Sequence, residues 1–482
     1  MKIASCKPLL IAGSLAILLV GQNICAAATV PANKQSVDQW TTTTEKKLSK
    51  SSAIEWRAKE KKTSNPTQRN NLTITLDDKN KAQTILGFGA ALTDSSCYLI
   101  NRLPEPTKQN LIDELFSPAK MGMSTVRIAV GASDYAVSPY SFDDGEADPE
   151  LKRFSISHDE EHILPVLRAA RKSYPELFIF GSPWSPPGWM KSNKSMLGGN
   201  MPRKYMGAYA DYIAKFLKAY EAAGVPVQAV TVNNEVDTDQ DGRMPACVWP
   251  QEIEMDFVAW NLGPKLKDEK INTKIWILDH NYNMWGRVLN ELENPDVLKH
   301  TSGVAWHPYA GEPSAMTKVH KAYPNVGMHW TEDGPDVDEQ GYATNWASWG
   351  KKFTEALRNW CSSITDWNLA LDEAGRPNIG PFKCGGTITI NSKTQAITYS
   401  GQYWGTVHFS KFIRPGAKII LSSASKATEI SHIAAQNPDN SYALVLTNPS
   451  SSKQSVTLDW QNKECQVELP ADSISTLQWR LP

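Results

Sequence analysis

The sequence predicts an α/β architecture, a (β/α)₈ barrel with an attached β-sandwich, on three observations. Between residues 83 and 385, eight short apolar runs alternate with segments of helical period. After residue 385, short alternating strands follow one another without a helical pattern between them. Before residue 83, a polar segment holds strand-like pieces, "AIEW" and "LTITL", that could not bury a core alone and are expected to join the C-terminal strands.

Residues 1–28 read as a secretory signal peptide: Lys2 and Lys7 start it, "PLLIAGSLAILLVG" is its apolar run, and "NICAAAT" places cleavage near Ala26–Ala28. That run is shorter than the roughly 20 residues of a membrane span, so the expectation is a secreted or periplasmic mature chain with no stable membrane span. Residues 29–82 then supply N-terminal strands of the sandwich.

The barrel spans 83–385. Its runs are "TILGFGAAL", "TVRIAVG", "LFIFGSPW", "VQAVTVNNE", "KIWILDHN", "GVAWHPY", "VGMHWTE" and "SSITDWNLA". The clearest helix lies at 204–223, where Met206, Tyr209, Ile213, Leu217 and Tyr220 recur at three- and four-residue steps and Gly224 ends the pattern. No Gly-x-Gly-x-x-Gly follows any run, which leaves a doubly wound dinucleotide-binding sheet without support. Residues 386–482, with "TITI", "AKIILSS", "SYALVLTN", "SVTLDW" and "STLQWRL", complete the sandwich.

Charge argues against polyanionic partners: 50 basic and 51 acidic residues give a net charge of −1, with no strongly basic block, so no nucleic acid is expected. Beyond the signal segment the cysteines are Cys97, Cys247, Cys361, Cys384 and Cys465. Their odd number and wide spacing fit neither a zinc site nor a disulfide framework, but leave room for one or two bridges after export. No metal and no cofactor is implied, and the sequence leaves the oligomeric state open.

A barrel of this class presents its catalytic groups at the C-terminal ends of its strands. Taking the last residues of each run collects Thr93 and Asp94, Asp134 just past run two, Trp184, Asn234 and Glu235, Asp279 to Asn281, His307 and Tyr309, Glu332, and Trp367 and Asn368. Glu235 ends the fourth run and Glu332 the seventh. Paired carboxylates among aromatic and amide groups are what glycosidic bond cleavage requires, one protonated toward the leaving oxygen and one ionised. Taken singly, each residue has a plainer reading: a turn residue for Asp94 or Asp134, packing for Trp184 or Trp367, a satisfied imidazole for His307, which has no second histidine at ligand spacing.

The motifs "GFGAALTDSS", "VRIAVGASDYAVSPYSFDD", "SPWSPPGWMK", "TVNNE", "TDWNLALDEAGRPN" and "YWGTVHFSKFIRPGAKII" together resemble the glucosylceramidases of glycoside hydrolase family 30, from about residue 37 to the C-terminus. The resemblance implies a retaining β-glycosidase without cofactor. It implies Glu235 as acid/base, Glu332 as nucleophile, and Asn234 reaching the sugar 2-hydroxyl. It also implies Asp134, Trp184 and Trp367 around the nonreducing glucose, with His307 and Tyr309 beside the carboxylates. Two departures fall on the aglycone side: Val236 follows Glu235 where the family usually has proline, and "TEDG" surrounds Glu332. The expected substrate is a β-glucoside, glycolipid or oligosaccharide, cleaved as a glucosylceramidase would. A β-1,6-glucanase or other family member acting on polysaccharide is the alternative, and a sugar-binding protein without catalysis is the alternative of another class. For the acid role, Glu235 is expected to have a raised pKa.

Overall fold

The computed structural model describes residues 36–59 and 72–480, so the signal-peptide reading of residues 1–28 lies outside the described residues. Each of the eight runs contributes one strand to a closed parallel barrel: Gly87–Ala91, Thr125–Ala129, Phe178–Ser182, Ala229–Thr231, Lys274–Asn281, Thr301–His307, Gly327–Trp330 and Cys361–Asp366, the last pairing with the first. The first two strands are buried at every residue, as expected of strands covered by helices outside and side chains within. Gly89 sits where neighbouring backbones touch: a Cβ there would lie 1.7 Å from the Thr125 carbonyl oxygen.

Among the described residues, the second body is one continuous hydrogen-bonded sheet of eleven strands, drawn from both ends of the chain. Ser36–Thr42 pairs with Ser473–Arg480, and Leu72–Thr84 lies between Lys418–Ala424 and Gln454–Trp460. Its core, including Val37, Trp56, Ile74, Leu444, Leu458, Trp460 and Trp479, is distinct from the barrel core. No described helix is long and apolar enough to cross a membrane.

Two expectations need correction. Residues 386–482 are not helix-free: Gly401–Ser410 is a helix, capped by the Ser400 side chain, which accepts from the Tyr403 N–H. It packs on the barrel helix Trp346–Arg358 and on the first barrel strand, so the barrel's packing runs past residue 385. Nine of its ten residues are buried, which erases the polar face that would have marked its period. Secondly, "TITI" does not enter the large sheet. Ile388–Ile390 pairs with Ala370–Leu371 and Ile397–Tyr399 in a separate three-stranded sheet just after the eighth barrel strand. The five described cysteines are free thiols, and four of them are buried.

Candidate active site

The floor of the barrel mouth is built on Arg127, a fully buried residue of the second strand. Its guanidinium donates through Nε to Ser182 Oγ at 3.1 Å and through Nη2 to Asn234 Oδ1 at 2.6 Å and Asp279 Oδ2 at 2.8 Å. Nη1 pairs with Glu332 Oε2. Trp184 and Trp367 stack on each other, with centroids 5.1 Å apart, and lie 4.7 and 5.4 Å from the guanidinium carbon. The planar, rigid fork of arginine donors suits this position, because it serves acceptors at several strand ends from one buried group.

Asp279 neutralises the arginine from the fifth strand. Burial alone would raise its carboxyl, but Arg127, then hydrogen bonds from His307 and Thr331, hold it far below the usual carboxylate range. Its Oδ2 also accepts from Ser182 and Thr231, both at 2.8 Å. Its carbonyl accepts the Glu235 N–H at 3.0 Å. Leu278 and Asp279 have φ of 74° and 52°, and the pairing with the sixth strand shifts register between Leu278 and His280. This bulge turns Asp279 and His280 together toward the mouth.

The two glutamates converge on one imidazole. His307 Nδ1 lies 3.7 Å from Glu235 Oε1, and His307 Nε2 lies 3.9 Å from Glu332 Oε2. Glu332 follows the seventh strand by two residues; Arg127 takes one of its oxygens, and the Tyr309 hydroxyl donates to the other at 3.1 Å. Glu235 leaves the fourth strand by a different device. The strand itself ends at Thr231, shorter than the apolar run, and Asn234 N–H reaches the Pro183 carbonyl at 2.7 Å. Glu235 then adopts φ of 52°, a left-handed conformation that a non-glycine residue holds only where its surroundings enforce it. Gln240 Nε2 donates to its Oε2 at 2.6 Å.

Electrostatics in the sugar-free site differ from the expectation of a raised Glu235. Burial pushes that carboxyl up, but His307, then His280 and Gln240, outweigh burial and hold it below its ordinary value. Burial likewise disfavours the charged form of His307, yet Glu332, Asp279 and Glu235 raise it to about 9. Asp134 moves the other way: burial first, then Glu332 and Glu235, push its carboxyl well above the ordinary range.

The fold thus gathers Glu235, Glu332, Asn234, His307, Tyr309, Asp134, Trp184 and Trp367 at one end of the barrel. Trp184 and Trp367 are 1 % and 3 % exposed, so they form a packed floor and present almost no open ring face, whereas Tyr309 is 48 % exposed on the rim. Sequence reasoning missed Arg127 and Gln240 and gave Asp279 and His280 no role. For Arg127 the signal was present: a lone charge inside the apolar run "TVRIAVG". The lysine of "SPWSPPGWMK" is structural. Lys191 is buried and donates to the Gly198 and Ala246 carbonyls, both at 2.6 Å, tying together two loops beside the mouth.

Comparison with known proteins agrees with this geometry. Residues 85–413 match the glycosyl hydrolase family 30 TIM-barrel domain, and residues 416–477 match the family 30 beta sandwich domain. An endo-1,6-beta-D-glucanase of Neurospora crassa is 31% identical over 446 residues, covering 87% of this chain and 90% of that protein. The lysosomal acid glucosylceramidase of Mus musculus is 29% identical, covering 85% and 84% respectively. A solved endo-beta1,6-glucanase superposes with a TM-score of 0.84 at 27% identity, over 93% of this chain and 100% of its own. Both bodies of the fold are matched by the two domains of one family, in order and over most of the chain, and the protein belongs to glycosyl hydrolase family 30: it is a glycoside hydrolase.

Proposed function

We propose that this chain is a retaining β-glucoside hydrolase in which Glu332 is the nucleophile and Glu235 the acid/base. The observation that carries the reading is the convergence of both carboxylates on His307, with Glu332 held by Arg127 and Tyr309. In the first half-reaction Glu332 attacks the anomeric carbon while the bond to the leaving oxygen breaks and Glu235 supplies that oxygen's proton. In the second, water attacks the same carbon, Glu235 takes its proton, and Glu332 departs. Because Asn234 Oδ1 is engaged by Arg127, its Nδ2 is left to donate, and the sugar 2-hydroxyl is its expected partner. Substrate must bring the proton of the site onto Glu235, since the sugar-free environment favours the carboxylate.

Among substrates, a β-1,6-linked glucan has the stronger support, from the endo-1,6-glucanase of Neurospora crassa and the solved endo-β1,6-glucanase. Glucosylceramide is the second reading, supported by the likeness to the mouse enzyme. Rates on a β-1,6-gluco-oligosaccharide, glucosylceramide in micelles and an aryl β-glucoside separate the two. Glu332→Gln is expected to abolish all three, and a near-normal rate in that variant overturns the assignment. Export belongs to the same proposal, supported by the basic start, apolar run and Ala-x-Ala of residues 1–28. Amino-terminal sequencing of the protein from its own cells is the check, with a start near residue 29 expected.

A further inference from the structure

Two groups of described residues bring three metal-ligating side chains together. In one, Asp94 Oδ1 lies 2.9 Å from His158 Nε2 and 3.4 Å from His162 Nδ1. Those imidazoles are stacked, with planes 9° apart and centroids 4.5 Å apart, so their in-plane lone pairs run side by side and do not meet. The aspartate there acts as a hydrogen-bond partner.

The second group is arranged differently. Glu235 Oε1 lies 3.7 Å from His307 Nδ1 and 3.8 Å from His280 Nδ1, distances too long for hydrogen bonds. Both Nδ1 atoms are buried and have no hydrogen-bond partner. The two rings cross at 72°, so their in-plane directions can converge. Each ring's other nitrogen is already committed: His280 Nε2 to Asp237 Oδ1 at 2.5 Å, His307 Nε2 to Asp279 Oδ1 at 3.1 Å. A carboxylate only accepts, so each Nε2 carries a hydrogen and Nδ1 is the ring atom through which a metal would bind, displacing the Nδ1 proton wherever the ring is charged. A carboxylate behind each imidazole is the arrangement that fixes the tautomer of metal-binding histidines. Tetrahedral zinc with bonds of about 2.0–2.1 Å needs ligand atoms about 3.4 Å apart. Both Glu235–histidine separations exceed this by a few tenths of an ångström, and all three ligand atoms lie within 4.8 Å of one another.

We propose that Glu235, His280 and His307 form a binding site for a borderline divalent transition metal, with Zn²⁺ as its reference ligand. Two imidazoles and one carboxylate select such an ion over Mg²⁺ or Ca²⁺, which prefer oxygen ligands. The sequence spacing concealed the pair, since the two histidines come from adjacent strands and the bulge at Leu278 and Asp279 brings His280 beside His307. The metal would occupy the Glu235 oxygen that hydrolysis uses, so an inhibitory effect rests on the acid/base role proposed above, while binding itself does not.

The test uses the full chain without a polyhistidine tag, treated with EDTA and desalted. Zn²⁺ is titrated by calorimetry and Co²⁺ by visible absorption, where a tetrahedral site gives intense d–d bands. One site is expected, weakened about 10–100-fold or more in His280→Gln and in Glu235→Gln and retained in His158→Gln, with circular dichroism confirming that each variant is folded. No stoichiometric binding, binding unchanged in His280→Gln, or binding lost in His158→Gln overturns the site. Aryl β-glucoside hydrolysis is followed in parallel. Binding that maps to these residues yet leaves the rate untouched supports the metal site and contradicts the acid/base role of Glu235.

Discussion

Arg127 is the residue on which the geometry of the site depends most. It is fully buried and holds the Glu332 carboxylate, the Asn234 amide and Asp279 through one planar group. Removing one partner of a buried ion pair leaves the others uncompensated, at a cost of about 3–5 kcal/mol. Arg127→Ala is therefore expected to lower the urea midpoint by a corresponding amount, and a variant as stable as the parent contradicts the buried network. Glu235 makes a different prediction. Glu235→Ala removes the proposed proton donor, so glycosides with poor leaving groups should lose far more rate than activated aryl glycosides. Equal losses across a leaving-group series count against the acid role. The strand-end glutamates were legible in the sequence because their order along the chain places them. The partners of Arg127 were not: Asp279 and Glu332 lie 152 and 205 residues away, and only barrel closure brings them together.

At the scale of elements, the sequence carried information wherever periodicity survived. All eight apolar runs become barrel strands, and the 204–223 pattern becomes a helix over Met206–Ala222. The helix Gly401–Ser410 was lost because nearly all its residues face protein. Its close docking is testable. A Cβ at Gly405 would lie 2.9 Å from Trp349 Cβ, so Gly405→Val is expected to cost about 1–3 kcal/mol through overpacking, read as a lowered denaturation midpoint. No loss would mean that this helix does not pack against Trp346–Arg358 as described. The helix Ser157–Glu161 makes a prediction about pH. Asp159 is fully buried and accepts from the Tyr140 hydroxyl at 2.8 Å and from Tyr220. Burial raises its carboxyl from 3.8 to about 7, against the opposing pull of Tyr220, Tyr140 and His158. A raised folded-state value means that the folded protein binds this proton more tightly than the unfolded chain. The resulting stability is complete below about pH 4 and is lost as pH rises through 7. In Asp159→Asn the fall in melting temperature over that window should flatten; an unchanged slope contradicts a neutral buried carboxyl.

On the scale of the whole molecule, one sheet gathers the two ends of the chain while the barrel occupies the middle. The helix Trp346–Arg358 joins the bodies: a Cβ at Gly350 would lie 2.7 Å from Ile474 Cδ1, and Trp346 Nε1 donates to the Asp472 carbonyl at 2.9 Å. The architecture was legible because alternating runs and strand-only tails are global patterns. The electrostatic state of the mouth was not, because it depends on which charges meet in space. Glu235 was expected to be raised, and His307 and His280 instead hold it down. The departure at Val236 and the acidic residues after it also acquire a setting: Asp237 holds His280, and Gln240 donates to Glu235 itself. These contacts lie beside Glu235, the proposed acid/base. The central claim is a double displacement through Glu332. The most direct measurement is mass spectrometry of the protein inactivated by a 2-deoxy-2-fluoro-β-glucoside with a good leaving group. The expected result is one fluoroglucosyl adduct, on the peptide carrying Glu332. An adduct on another carboxylate, or an α-configured first product from an ordinary β-glucoside with no adduct at all, would contradict it.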